Sequence, residues 1–139
     1  MSADIYREQI LDLARNPVNH GTLEPNDASY QDTNPLCGDR VRIDLRISAQ
    51  EVIEDIAFSG RGCAISQAAT SLLTEMALDK SVADAAAISN AEMLAEIGVE
   101  ISPARIKCAL LGLHVLRVAL DEYQRNGATS TDVATSQGE

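Results

Sequence analysis

The chain has 139 residues, the size of one ordinary domain, and 45% of them are hydrophobic, which suffices for a single core. Aromatic residues make up only 3% and the formal net charge is −10. These values argue against the stacking platforms and clustered cations of nucleic-acid binding and against an anionic membrane surface, and they favour a protein partner with a basic patch.

Along the chain, Ser2 is placed to cap a first helix with Tyr6, Ile10, Leu13 and Ala14 on its apolar stripe, and Asn16-Pro17 stops it. The stretch from Asn19 to Pro35 is rich in Asn, Asp, Gly and Pro and reads as loop, with a weak strand around Ser29 to Thr33. Val41, Ile43, Leu45 and Ile47 alternate with Arg42, Asp44 and Arg46, the period-two pattern of a strand with one buried face. A second strand runs from about Val52 to Ser59, and the short connection between them predicts an antiparallel hairpin.

Gly60-Arg61-Gly62 reads as the end of the sheet. A helix follows, with Ile65, Ala68, Ala69, Leu72, Leu73 and Met76 on one face. Two short helices start at the capping-box patterns Ser81 to Asp84 and Ser89 to Glu92, and Gly98 is the second one's stop. Ser102-Pro103 opens a last helix that is apolar nearly all round from Ile106 to Leu120, as a helix in the middle of a fold must be. The expected fold is α+β: a small antiparallel sheet of about three strands, helices packed on one face and a long buried C-terminal helix. Residues 1–126 form the domain, and from Gly127 on the polar composition predicts a disordered tail over 127–139.

No apolar run is long enough to span a bilayer, and the charged N-terminus lacks the apolar stretch of a signal peptide. The expected location is therefore the cytoplasm, where three cysteines are buried, metal-bound or reactive rather than paired.

Each cysteine has a bland reading and a chemical one. Cys37 and Asp39 flank Gly38; in an extended segment they point the same way and reach one metal ion, or the triplet is a tight turn with a buried thiol. Cys63 falls where a glycine-rich turn meets a helix N-terminus, whose amides and dipole favour a thiolate, or it is a small apolar residue at a helix start. Cys108 is in the first or second turn of the last helix with Arg105 three residues earlier; it is a core residue or a reactive one. His114, six residues on, faces away from Cys108, His20 is in a loop, and Lys107 reads as a solvated helix residue. No Cys-x-x-Cys occurs, so spacing alone supports no zinc finger.

Taken together the segments are more specific. Tyr6, Asn16 to Gly21, Asn34 to Asp39, Phe58 to Ser66 and Ala104 to Ala109 resemble, in order, the motifs of the IscU/SufU/NifU N-terminal family of iron–sulfur cluster assembly proteins. The resemblance runs from residue 3 to about residue 125. It implies an α+β domain whose cysteines meet at one exposed end and receive sulfur from a pyridoxal-phosphate-dependent cysteine desulfurase. Cys37, Cys63 and Cys108 would be ligands and sulfur acceptors, and Asp39 the fourth, oxygen ligand. The cargo would be zinc or a transient cluster, a 2Fe–2S cluster foremost, with acceptor apoproteins as further partners. The family role is that of a scaffold or sulfur acceptor more than a turnover enzyme, and Asp39, a harder and more exchangeable ligand than a thiolate, would ease release.

The subtype reads two ways. IscU scaffolds carry His before the third cysteine, but this chain has Lys107, which with Gly62-Cys63-Ala64-Ile65-Ser66 looks like the SufU branch of zinc-dependent sulfurtransferases. The segment that SufU proteins insert between the second and third cysteines is missing here. Ile101 to Lys107 also departs from the Leu-Pro-Pro-Val-Lys motif read by a dedicated Hsp70-type chaperone, so that partner is not expected. Cys108, flanked by Arg105 and Lys107, is the candidate persulfide acceptor. A zinc-stabilised interaction domain without sulfur traffic is the non-catalytic alternative.

Overall fold

In a computed structural model of the protein, residues 3–35, 38–98 and 100–128 are described. Helix α1 spans Ala3–Arg15 and ends where Asn16 N–H is donated to Asp12 O, just before Pro17. Ile10 is buried and Leu13 packs at the edge of the core. The Ser2 cap and the Tyr6 side chain lie outside the described residues.

Three strands follow, β1 (Ala28–Asn34), β2 (Asp39–Ile47) and β3 (Ile53–Arg61), in an antiparallel sheet of order β1-β2-β3. Strand β3 does not end at Ser59 as expected, because Gly60 and Arg61 continue to pair with Val41 and Arg40. The odd positions of β2, Val41, Ile43 and Leu45, are fully buried on the core face. A bulge shifts the register at Arg46/Ile47, so that Ile53 faces Ile47 while Ile56 faces Leu45. The extra residue resets the alternation, and Ile53, Ile56 and Phe58 all reach the core although the first two are three residues apart.

Helix α2 (Ala64–Ala77) differs from its expected stripe. Ser66, Ala68, Ala69, Thr70, Ser71, Leu73, Thr74 and Ala77 are buried, while Ile65, Leu72 and Met76 are only partly so. The reason is that α2 packs against α1, β3 and α5, a wider arc than an amphipathic stripe, and close approach favours small residues there. Hydroxyls serve the approach: Ser71 Oγ accepts Val18 N–H at 2.8 Å, and Asn19 Nδ2 donates to Thr74 Oγ1 at 3.0 Å, which ties the loop after α1 to this helix.

Of the two short helices, α4 (Asn90–Ile97) has a complete capping box on Ser89 and Glu92 and stops at Gly98, whose φ is 79°. Helix α3 (Val82–Ala86) has only half of one, Ser81 Oγ accepting Asp84 N–H, because aspartate is shorter than the glutamate that reaches back. Ser102-Pro103 does not open the last helix directly. It opens a 3₁₀ turn, Pro103–Arg105, closed by Arg105 N–H to Ser102 O at 2.8 Å, and α5 (Ile106–Ala128) follows. Helix α5 packs on β1, β2, α2, α3 and α4 and buries Leu113, Val115, Leu116 and Leu120, so it is the central helix. It runs to Ala128, through the expected boundary at Gly127, and the tail from Thr129 on lies outside the described residues.

Candidate metal centre

The starts of three elements meet at one end of the sheet. Asp39 is the first residue of β2, Cys63 is the N-cap of α2, and Cys108 is the third residue of α5. Their candidate ligand atoms all lie within 4.8 Å of one another. Asp39 and Cys108 are buried at 1% exposure and Cys63 is partly exposed, so the group opens to solvent on the Cys63 side.

Strand parity puts Asp39 there. As an odd residue of β2 it shares the core face with Val41 and Ile43, and it stands where that face runs out. Its Oδ1 accepts Cys63 N–H at 3.0 Å, and its Oδ2 lies 3.9 Å from Cys63 Sγ. Gly62 makes the approach possible: a Cβ at that position would lie 2.6 Å from Asp39 Oδ1. The sequence hint was the glycine before Cys63, which reads as a turn residue but acts here as clearance for a carboxylate. Helix α2 starts abruptly at Cys63, where the amides and dipole of a helix N-terminus favour negatively charged sulfur and oxygen, and α5 brings Cys108 from its first turn.

The donors suit a borderline metal ion. Around zinc, with bonds of about 2.0–2.3 Å, tetrahedral ligand atoms stand about 3.5–3.8 Å apart, so two thiolates and a carboxylate within 4.8 Å need only small side-chain movements. Cys37 lies outside the described residues. The connection that carries it closes with Gly38 N–H to Asn34 O at 2.8 Å, and Gly38 has a φ of 74°. The extended geometry expected across Cys37-Gly38-Asp39 therefore does not hold at Gly38, and regular alternation begins at Asp39.

The remaining candidates stand outside the ligand group. Arg105 is exposed in the 3₁₀ turn, and Lys107 is exposed on α5. Lys107 borders a groove of about 300 Å³ with Asp32, Pro35, Leu110 and His114. His114 Nε2 lies 3.2 Å from Asp32 Oδ2 on the surface, and His20 packs edge-on against Phe58 with ring centroids 5.3 Å apart.

Residues 5–130 match the family described as NifU-like N terminal domain. The chain belongs to this family. It is 36% identical over 119 residues to the iron-sulfur cluster assembly scaffold protein IscU of Aquifex aeolicus strain VF5, covering 85% of this chain and 75% of the relative. To the protein of the same name from Escherichia coli strain K12 it is 32% identical over 122 residues, covering 86% and 94%. Among solved structures it is similar to a putative iron-sulfur cluster assembly scaffold protein for the SUF system from Fervidobacterium islandicum AW-1. There the TM-score is 0.74 at 31% identity, over 86% of this chain and 99% of the other.

Proposed function

We propose that this NifU-like domain is an iron–sulfur cluster assembly scaffold. It accepts sulfur from a cysteine desulfurase and assembles a cluster on Cys37, Asp39, Cys63 and Cys108 before passing it to an acceptor apoprotein. The convergence of Asp39, Cys63 and Cys108 in a chain of this family is the observation that carries the reading. Thiolates hold iron and sulfide well, and a carboxylate exchanges more readily, so the set suits a cargo that must leave. In the sulfur step the acceptor thiolate attacks the outer sulfur of the donor persulfide, and the donor's cysteine departs as thiolate; an external electron donor then reduces that sulfur to sulfide as the cluster forms. Cys108 is the proposed acceptor, flanked by Arg105 and Lys107. Its burial means that the first turn of α5 opens to receive sulfur.

Among the described residues no helix is long and apolar enough to cross a membrane, and we place the reaction in the cytoplasm, where thiols stay reduced. The net charge of −10 favours a desulfurase with a basic docking surface. An Hsp70-type chaperone is not among the proposed partners, because Ile101 to Lys107 departs from the motif it reads.

Lys107, beside Cys108, and the Gly62 to Ser66 stretch favour a second reading, a SufU-like zinc-dependent sulfurtransferase that stimulates the desulfurase without storing a cluster. Anaerobic incubation with ferrous iron, cysteine, a desulfurase and a thiol reductant, which supplies the electrons that turn persulfide sulfur into sulfide, separates the two. Visible cluster absorbance that moves to an apoprotein supports the scaffold, whereas retained zinc with faster desulfurase turnover supports the sulfurtransferase. If neither appears, and Cys108→Ser leaves the desulfurase rate unchanged, the domain is a zinc-stabilised interaction module.

A further inference from the structure

Ser66 Oγ and Gln67 Nε2 are buried side-chain polar atoms without a hydrogen-bond partner. Both belong to the first turn of α2, three and four residues past its N-cap Cys63, and so lie about one helical turn from it. A helical serine or threonine ordinarily returns its hydroxyl to the carbonyl one turn earlier. Thr70 does so, donating to Ser66 O at 2.8 Å, but Ser66 does not do so itself. Leaving buried donors unpaired is costly, so two of them in the turn that begins on a candidate ligand call for an acceptor.

Helix packing locates that acceptor. Helices α2 and α5 both begin at the metal centre and lie against each other. They come close where a Cβ on Gly112 would stand 2.6 Å from Thr70 Oγ1. One turn back toward the centre, the corresponding residues are Ser66 on α2 and Cys108 on α5. Ser66, at 0% exposure, therefore occupies the seam between the two helices on the approach to the sulfurs.

We propose that the Ser66 hydroxyl and the Gln67 carboxamide are donors to sulfur. They bond the thiolates once these carry metal, and the added sulfur of a persulfide or cluster. The inference rests on the reading of Asp39, Cys63 and Cys108 as a metal- and sulfur-carrying site. Donors to ligand sulfur stabilise the negative charge there, and both groups are neutral, so they do so without adding charge to the site.

Zinc and cobalt titrations of the wild type, Ser66→Ala and Gln67→Met test it. Metal-free, each variant is expected to melt at or above the wild-type temperature, because an unpartnered buried group has been removed. With zinc the order reverses: the rise in Tm on zinc addition is smaller in the variants, and zinc affinity by chelator competition falls about 10–100-fold. In the cobalt-loaded variants the thiolate-to-cobalt charge-transfer absorption moves to longer wavelength, since an unbonded thiolate gives up electron density more readily. Wild-type affinity and absorption in both variants would overturn the inference while leaving the metal site standing. A lower metal-free Tm in both variants would also overturn it, since the groups would then be holding the fold. A wild type that binds neither zinc nor cobalt would overturn the site reading and this inference with it.

Discussion

Strand β2 carries two aspartates buried to the same degree, Asp39 and Asp44, each 1% exposed. Being an odd and an even residue of one strand, they face opposite sides of the sheet. Asp44 is roofed by the loop before β1 and by β1 itself. It accepts Leu23 N–H at 3.0 Å, Ser29 Oγ–H at 2.6 Å and Arg42 Nε–H at 2.8 Å. Asp39 accepts Cys63 N–H at 3.0 Å and turns its other oxygen toward sulfur. A buried carboxylate needs donors or a cation. Asp44 is supplied by the fold and holds a loop in place, while the Asp39 carboxylate has a single N–H donor among the described residues and so keeps acceptor capacity for the proposed metal.

The comparison breaks most visibly at Asp44. Asp44→Ala leaves a part-buried backbone N–H and a hydroxyl without their acceptor, while the half-exposed Arg42 guanidinium turns to water, and a loss of about 2–3 kcal/mol is expected by urea unfolding at pH 7. Zinc uptake per folded molecule should stay at the wild-type value. If uptake falls along with stability, the division of labour between the two faces is wrong. The effect also has a pH signature. Burial alone would raise the Asp44 pKa, but the donors from Ser29, Arg42 and Leu23 outweigh it and hold the carboxyl below its ordinary value. A depressed folded pKa adds stability that is complete above the unfolded value of about 3.9 and is lost as pH falls through the folded one. The stability gap between the wild type and Asp44→Ala should therefore be constant from pH 7 to about 5 and narrow below about 4.

The two aspartates also mark how far the sequence could be read. Alternation from Val41 to Ile47 predicts the strand, its buried face and the hairpin, because parity is a local property. The same alternation puts Asp44 on the outer, solvated side, since nothing local says that the loop at Leu23 folds over it. The spacing in Cys37-Gly38-Asp39 offers Asp39 as a ligand beside Cys37, but its place with Cys63 and Cys108 is legible only through resemblance to a family motif, because the approach to Cys63 depends on where β3 ends and α2 begins. The hydroxyl-rich buried face of α2 escapes a hydrophobicity pattern for the same reason. Thr70 and Thr74 are buried by neighbours on α5 and in the loop after α1, not by their own polarity.

Gly62 offers a narrower cut. Gly62→Ala puts a methyl about where the Asp39 carboxylate stands, since the added Cβ would lie 2.6 Å from Oδ1 and 2.9 Å from Cγ. The side chain, rather than the sheet, is expected to yield, at roughly 1–2 kcal/mol as for modest overpacking. The prediction is a disturbed site on a folded domain: far-ultraviolet circular dichroism as in wild type, with slower cluster transfer to an apoprotein. Wild-type transfer by this variant would mean that Asp39 can leave its position without consequence.

The smallest effect on stability is expected at Asp39 itself. Asp39→Ala loses the hydrogen bond to Cys63 N–H, a loss of about 1 kcal/mol, but also relieves the burial of a carboxylate with few donors. The two contributions oppose each other, so the metal-free unfolding free energy should stay within about 1 kcal/mol of wild type, in contrast to Asp44→Ala. The consequence should fall on cargo. With the exchangeable oxygen ligand gone, release of a reconstituted cluster to an apoprotein is expected to slow, as followed by the acceptor's visible spectrum. An unfolding free energy as low as that of Asp44→Ala, combined with transfer as fast as wild type, would exchange the roles of the two residues.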